Sequence, residues 1–131
     1  MPLPPTHEFR PEAESGRWVA SSGSGDYDLA VPGDTGGPQE SALGLLEQAE
    51  HDQATLFEHA RHHVAAFCQA PEYGLAHEPT MVELEVTRCR GNPVVNVTFN
   101  FESDVYGLWS VAFSRVAPGK WVPVSFGRTN W

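Results

Sequence analysis

Four histidines lie between residues 51 and 63, and two of them have the spacing of metal ligands. His59 and His63 are four positions apart, so in a helix both rings can reach one ion. No Glu follows His59, so the pattern of helical zinc hydrolases is absent, and no spacing supplies the further ligands of a closed site. We therefore expect no metal and no cofactor. His59 and His63 remain weak candidates for a metal-dependent enzyme.

Glu83 and Glu85 are the second pair of residues that could do chemistry. They are two positions apart in an alternating segment, so their carboxylates lie on one side of a strand and could act as acid and base. The same side of the predicted sheet carries Asn96 and Asn100. This polar sheet face is either an ordinary water-facing surface or, if the sheet curls, the lining of a small-ligand site.

Other catalytic patterns are missing from the sequence. The glycine groups lack the spacing and the following Lys of a phosphate-binding loop, and no Ser is flanked as in a nucleophile elbow. Cys68 and Cys89 do not form a Cys-x-x-Cys pair, so we expect reduced thiols. We predict no catalytic residue.

The elements that would position these residues begin with a β-hairpin. Residues 1–15 are rich in Pro and Glu, and we expect them to form a loose lead-in to a single domain over residues 16–131. Residues 17–20 and the alternating segment 27–31 predict two short strands.

A long helix should follow, beginning at Pro38 and ending near Ala70, because Pro71 comes next. One broad apolar face recurs at helical spacing, comprising Leu45, Leu46, Ala49, Leu56, Phe57, Ala60, Val64, Phe67 and Cys68. A straight helix of that length would span about 50 Å. Since this is long for such a domain, we expect a kink or break near residues 51–53.

The last third of the chain predicts a meander of four strands with alternating apolar residues. The inward positions are Val82, Leu84, Val86, Val95, Val97, Phe99, Phe101, Trp109, Val111, Phe113, Val122, Val124 and Phe126. On this alternation Trp121 faces away from the core. The fold class is therefore α+β, with an N-terminal β-hairpin and one long, kinked helix packed on a mainly antiparallel sheet.

Charge excludes some partners and favours others. The chain has 17 acidic and eight basic side chains, a net charge of −9, which argues against binding to nucleic-acid phosphates. Residues 1–79 hold 13 of the acids and three of the bases. Such a one-signed surface steers toward a basic protein. The candidate partner-binding residues are Glu47, Asp52, Glu58, Tyr106 and Trp121.

No apolar run is long enough to cross a membrane, and the N-terminal residues lack the basic start and apolar stretch of a secretory signal. We therefore expect a cytoplasmic location and no membrane partner. Pro123 indicates an edge strand, which leaves a homodimer open.

One resemblance adds to this interpretation. The order of hairpin, helix and sheet over residues 17–115, the Leu45-Leu46 and Leu56-Phe57 spacing, and the run Asp104-Val105-Tyr106-Gly107-Leu108-Trp109-Ser110-Val111 resemble an uncharacterised bacterial domain family. Part of that family occurs among the immunity genes of bacterial toxin systems. The resemblance implies an inhibitor of a toxin and assigns no functional residue.

The leading expectation is thus a non-enzymatic bacterial protein that binds a basic protein partner, of the immunity type. The alternatives are a small-ligand-binding domain with a helix on a curved sheet, and a metal-dependent enzyme that uses the helix histidines.

Overall fold

The computed structural model describes residues 8–12, 15–22, 25–68, 79–101 and 107–130; for residues 65–68, 79, 101, 107, 129 and 130 it describes the backbone alone. The elements in chain order are β1 Arg10–Pro11, β2 Arg17–Ser21, β3 Asp28–Asp34, β4 Gly37–Pro38, α1 Glu40–His51, α2 Gln53–Cys68, β5 Pro79–Cys89, β6 Asn92–Phe101, β7 Gly107–Ala117 and β8 Lys120–Asn130.

The strands form one sheet in the order β1-β2-β3-β5-β6-β7-β8, with β4 paired to β3. All strand pairs are antiparallel except β3 and β5, which run parallel because the two helices cross between them. The α+β class, the N-terminal hairpin and the mainly antiparallel sheet are confirmed. Within the segment expected to be a loose lead-in, Arg10–Pro11 pair with β2.

The single long helix is not confirmed, since there are two helices separated at Asp52. Asp52 lies within the stretch where the length argument places a break, and its backbone has φ −98° and ψ 15°. The first helix also begins later than expected. Pro38 belongs to β4, and Gln39, which caps α1, is extended.

Both helices cover one face of the sheet. The side chains Leu46, Ala49, Leu56, Ala60 and Val64 are buried against Leu84, Val97, Phe99, Val111 and Phe113. Phe57 contacts Phe99 edge-on, with ring centroids 5.9 Å apart. The apolar alternation of β6, of β7 and of β5 from Leu84 onward therefore does form the core. At the start of β5 the predicted alternation is wrong, because a bulge between Met81 and Glu83 buries Met81 and leaves Val82 half-buried. The side chains of Phe67, Cys68 and Phe101 lie outside the described residues.

Tight turns hold the C-terminal strands in register. Arg90 and Gly91 form the two-residue connection between β5 and β6 and both have positive φ, 52° and 84°. Such a turn matches the right-handed twist of the strands that it joins. Gly119 has φ 71°, as the third residue of the expected type II turn between β7 and β8 requires.

The predicted alternation is wrong in β8. Phe113 pairs with Pro123 while Ala112 pairs with Ser125, so Val124 is an extra residue in a β-bulge. One extra residue exchanges the two faces of the strand beyond it. Val122 and Val124 are consequently 44% and 48% exposed, and Trp121 is only 6% exposed. A second bulge in β7 leaves Val116 exposed.

Neither helix in the described ranges combines the length and the apolar character that a membrane crossing requires.

Candidate functional site

A side-chain hydrogen bond holds the junction between α1 and α2 to the sheet. The indole Nε1 of Trp121 donates a hydrogen bond of 2.8 Å to Oδ2 of Asp52. The helical hydrogen bonds continue through the junction, because the Asp52 N–H donates to the Gln48 carbonyl and the Asp52 carbonyl accepts from the Leu56 N–H. The bend in the helices is therefore fixed against β8.

A first cleft opens beside this junction, toward the turn between β7 and β8. It encloses about 590 Å³ and is lined by Glu47, His51, Asp52, Arg115, Pro118 and Gly119, among others. We call it the Arg115 cleft. The Nε of Arg115 is buried and has no hydrogen-bond acceptor among the described residues. An unsatisfied buried donor of this kind costs stability.

A second cleft lies on a different side of the helices, where they pass the starts of β3 and β5. It encloses about 490 Å³ and is lined by Asp26, Tyr27, Glu50, Gln53, Phe57, Thr80 and Met81. We call it the Tyr27 cleft. Burial raises the pKa of the Tyr27 hydroxyl, and the charges of Glu50 and Asp26 raise it further. The local potential is therefore negative, and the walls include two aromatic rings.

The structure brings together three of the five predicted partner-binding residues. Glu47 and Asp52 line the Arg115 cleft, and Trp121 donates a hydrogen bond to Asp52. The prediction that Trp121 is exposed as an interface anchor is wrong, because the bulge at Val124 turns its ring into the core. Tyr106 lies outside the described residues.

Glu58, the fifth candidate, lies on α2 and its charge is offset locally. Its Oε1 accepts hydrogen bonds from Arg61 at 2.6 Å and pairs with the ring of His62 at 2.8 Å. These two partners, Arg61 first, lower the pKa of the Glu58 carboxyl. Glu58 is therefore a weaker attraction for a basic partner than its charge alone suggests.

The polar sheet face is organised around Arg17, which the sequence interpretation did not single out. One Nη of Arg17 contacts Glu83 at 3.3 Å and Glu85 at 3.0 Å, and the guanidinium also binds Glu12. Burial raises the pKa of Glu83, while Arg17 opposes that rise. The pKa of Arg17 itself is raised, chiefly by its hydrogen bond with Glu12. The arrangement joins β2 to β5 across the face of β3.

The rest of that face carries polar side chains in register. Asn96 pairs with Glu85, Asn100 pairs with Thr80, and the hydroxyls of Thr98 and Ser110 lie 3.2 Å apart. Asn96 and Asn100 are half-buried. Because Arg17 already pairs with both glutamates, their carboxylates serve first to join β5 to β2.

The weak metal candidates do not converge on a ligand set. His59 is exposed on α2, and the ring of His63 packs edge-on against Phe126 at 5.6 Å between centroids. Within the described residues no group of three or more His, Cys, Asp and Glu side chains is placed to hold a metal ion.

Two of the residues in these clefts were missed at the level of sequence. In the sequence, Glu50 and Arg115 look like ordinary solvated charges. Only the packing of α1 and of the β7–β8 turn places them in the walls of the clefts. The sequence did contain a signal for Arg115, because its position continues the inward alternation of Trp109, Val111 and Phe113.

Comparison of the chain with protein-family models, with curated proteins and with solved structures gives no match.

Proposed function

We propose that this chain is a non-enzymatic protein-binding domain that captures a basic protein, as an immunity protein captures a toxin. The single observation that carries the proposal is the pair of carboxylate-lined clefts around the junction of α1 and α2. Glu47 and Asp52 line one, and Asp26 and Glu50 line the other. We call this region the junction surface.

Two features support an interface with a protein. Acidic side chains on one surface accelerate encounter with a basic partner and reject acidic ones. Strands β7 and β8 also carry exposed apolar side chains, namely Val116, Val122 and Val124. Protein interfaces combine apolar contact of this kind with a charged rim.

The polar sheet face gives less support to the small-ligand alternative. A ligand there would have to compete with Arg17 for Glu83 and Glu85, and that arrangement is already formed. A contact with a ligand would therefore replace existing ion pairs rather than add to them.

The test begins with affinity capture from a lysate of the source organism at low and at high salt. Each captured basic protein is purified, and its dissociation constant for this chain is measured by calorimetry. The variant carries Glu47→Lys and Glu50→Lys. The control is Glu58→Lys, whose carboxylate is offset by Arg61 and His62.

We expect a basic protein whose affinity falls at least about tenfold on the double variant and changes less on the control, with both effects shrinking as salt rises. Co-expression with this chain should relieve the toxicity of that protein. Equal binding by the double variant and the wild type, or the absence of any basic partner that binds after purification, overturns the proposal.

A further inference from the structure

The Tyr27 cleft has the composition of a site for an organic cation. Among the described residues that line it, the aromatic ones are Tyr27 and Phe57, and the charged ones, Asp26 and Glu50, are both carboxylates. Aromatic faces attract cations through their quadrupole, and carboxylates add hydrogen bonds and charge.

The size of the cleft fits a single long side chain better than a bare ion. Its volume of about 490 Å³ lies within the usual range for small-molecule pockets, roughly 300–1,000 Å³. Met81 is almost completely buried at its base, and Phe57 is packed partly into the core. These apolar groups can cover an alkyl stem while the carboxylates meet its charged end.

The pKa of Tyr27 reflects the negative charge of the two carboxylates at this place. Glu50 and Asp26 both raise it, in addition to burial, because a negative field opposes the phenolate. The same field favours a positive group. Between the two basic side chains, the flat guanidinium of arginine stacks on aromatic rings and forms forked hydrogen bonds with carboxylates, whereas the ammonium of lysine is more strongly hydrated.

We infer that the Tyr27 cleft binds an arginine side chain, with its guanidinium between Tyr27 and the carboxylates of Glu50 and Asp26 and its stem against Phe57 and Met81. This inference rests on the proposed function, because the arginine would come from the basic partner. The site gives the junction surface an anchor for one inserted residue. Inserted arginines of this kind commonly dominate the energy of protein interfaces.

The test uses a small probe, so that it does not depend on the partner. N-acetyl-arginine methylamide is titrated into the isotope-labelled full chain, and nuclear magnetic resonance shifts are followed for the backbone and for the aromatic rings. N-acetyl-citrulline methylamide is the neutral counterpart of nearly the same shape. The variants are Tyr27→Leu combined with Glu50→Gln, and Glu40→Gln as a matched control, an exposed glutamate of α1 that lines neither cleft.

We expect saturable shifts at Tyr27 and Phe57 with a dissociation constant of the order of 1 mM, and a response to citrulline that is at least about tenfold weaker. The double variant should bind about tenfold more weakly, since it removes one aromatic face and one charge. The Glu40→Gln control should bind as the wild type does. Circular dichroism establishes that each variant is folded.

Equal shifts with arginine and citrulline, shifts that do not saturate, or unchanged binding by the folded double variant overturn the inference. If the double variant unfolds, Glu50→Gln alone takes its place, with an expected loss of about two- to fivefold. A failure of the probe together with successful capture of a basic partner refutes this site and leaves the proposed function standing. Success of the probe without such a partner refutes the proposed function alone.

Discussion

Removing the carboxylate of Asp52 should destabilise the whole domain, although Asp52 is only partly buried. Trp121 is 6% exposed, and its N–H donates to Asp52 at 2.8 Å. A hydrogen bond to a charged acceptor contributes about 1.5–3 kcal/mol. We therefore expect Asp52→Ala to lower the free energy of unfolding by about 2 kcal/mol. Asp52→Asn keeps an acceptor oxygen and should cost about 1 kcal/mol.

The assay is urea unfolding followed by circular dichroism, in a double-mutant cycle of Asp52→Ala and Trp121→Phe. For a protein of this size, a loss of about 2 kcal/mol moves the midpoint by roughly 1 M urea. The two changes should be coupled by about 1.5 kcal/mol, because either one removes the same hydrogen bond. Glu47→Ala, an exposed position on the same cleft, serves as control and should stay within about 0.5 kcal/mol.

A coupling energy near zero would refute the reasoning, since it would mean that Trp121 and Asp52 contribute independently. So would a loss for Glu47→Ala as large as that for Asp52→Ala, because the effect would then come from the charge of the cleft and not from the hydrogen bond.

Three further predictions concern stability. The pKa of Glu83 is raised by burial above its ordinary value of 4.5, so the native state holds this proton more tightly and stability falls as pH rises through the window above 4.5. Urea midpoints from pH 4.5 to 7 should fall less in Glu83→Gln than in the wild type; parallel curves would contradict this. Arg115→Met removes a buried N–H donor that has no acceptor among the described residues. The free energy of unfolding should therefore stay the same or rise by up to about 1 kcal/mol, and the melting temperature should not fall. A loss of more than about 1 kcal/mol would contradict the assignment of an unsatisfied donor at Arg115. Val122→Asn should change stability by less than about 0.5 kcal/mol, whereas Trp121→Ala should cost about 3–5 kcal/mol. If Val122→Asn cost more stability in urea unfolding than Trp121→Ala, the bulge would be refuted and β8 would alternate without interruption.

Local pattern was sufficient for most of the architecture. The alternation in β5, β6 and β7 and the helical recurrence of Leu46, Ala49, Leu56, Ala60 and Val64 determine which sides are buried, because the side-chain period of each element is fixed by backbone geometry. The break near residues 51–53 followed from the excessive length of an uninterrupted helix. The exact start of α1 could not be predicted from the sequence, since Pro38 suits both a first helical turn and a short edge strand.

The candidate site was predictable only in part. Glu47 and Asp52 were chosen for their charge and do lie in one cleft, but their neighbour Arg115 comes from a strand far away in the chain. Tyr27 and Glu50 line one cleft because α1 packs against β3 and β5, which are neighbouring parallel strands of the sheet. Contacts of that kind depend on how the elements are packed, and no local spacing encodes them.

By itself, the sequence determined the fold class, the buried sides of the helices and of β6 and β7, and the excess of negative charge, because these depend on composition and on periods of two and 3.6 residues. Tertiary structure alone decided the inward position of Trp121, the engagement of Glu83 and Glu85 by Arg17, and the two clefts beside the helix junction. The physical reason is that these features depend on how strands and helices from distant parts of the chain pair and pack. A bulge of one residue exchanges the two faces of a strand, and whether it forms depends on the neighbouring strand and on the core that both of them bury.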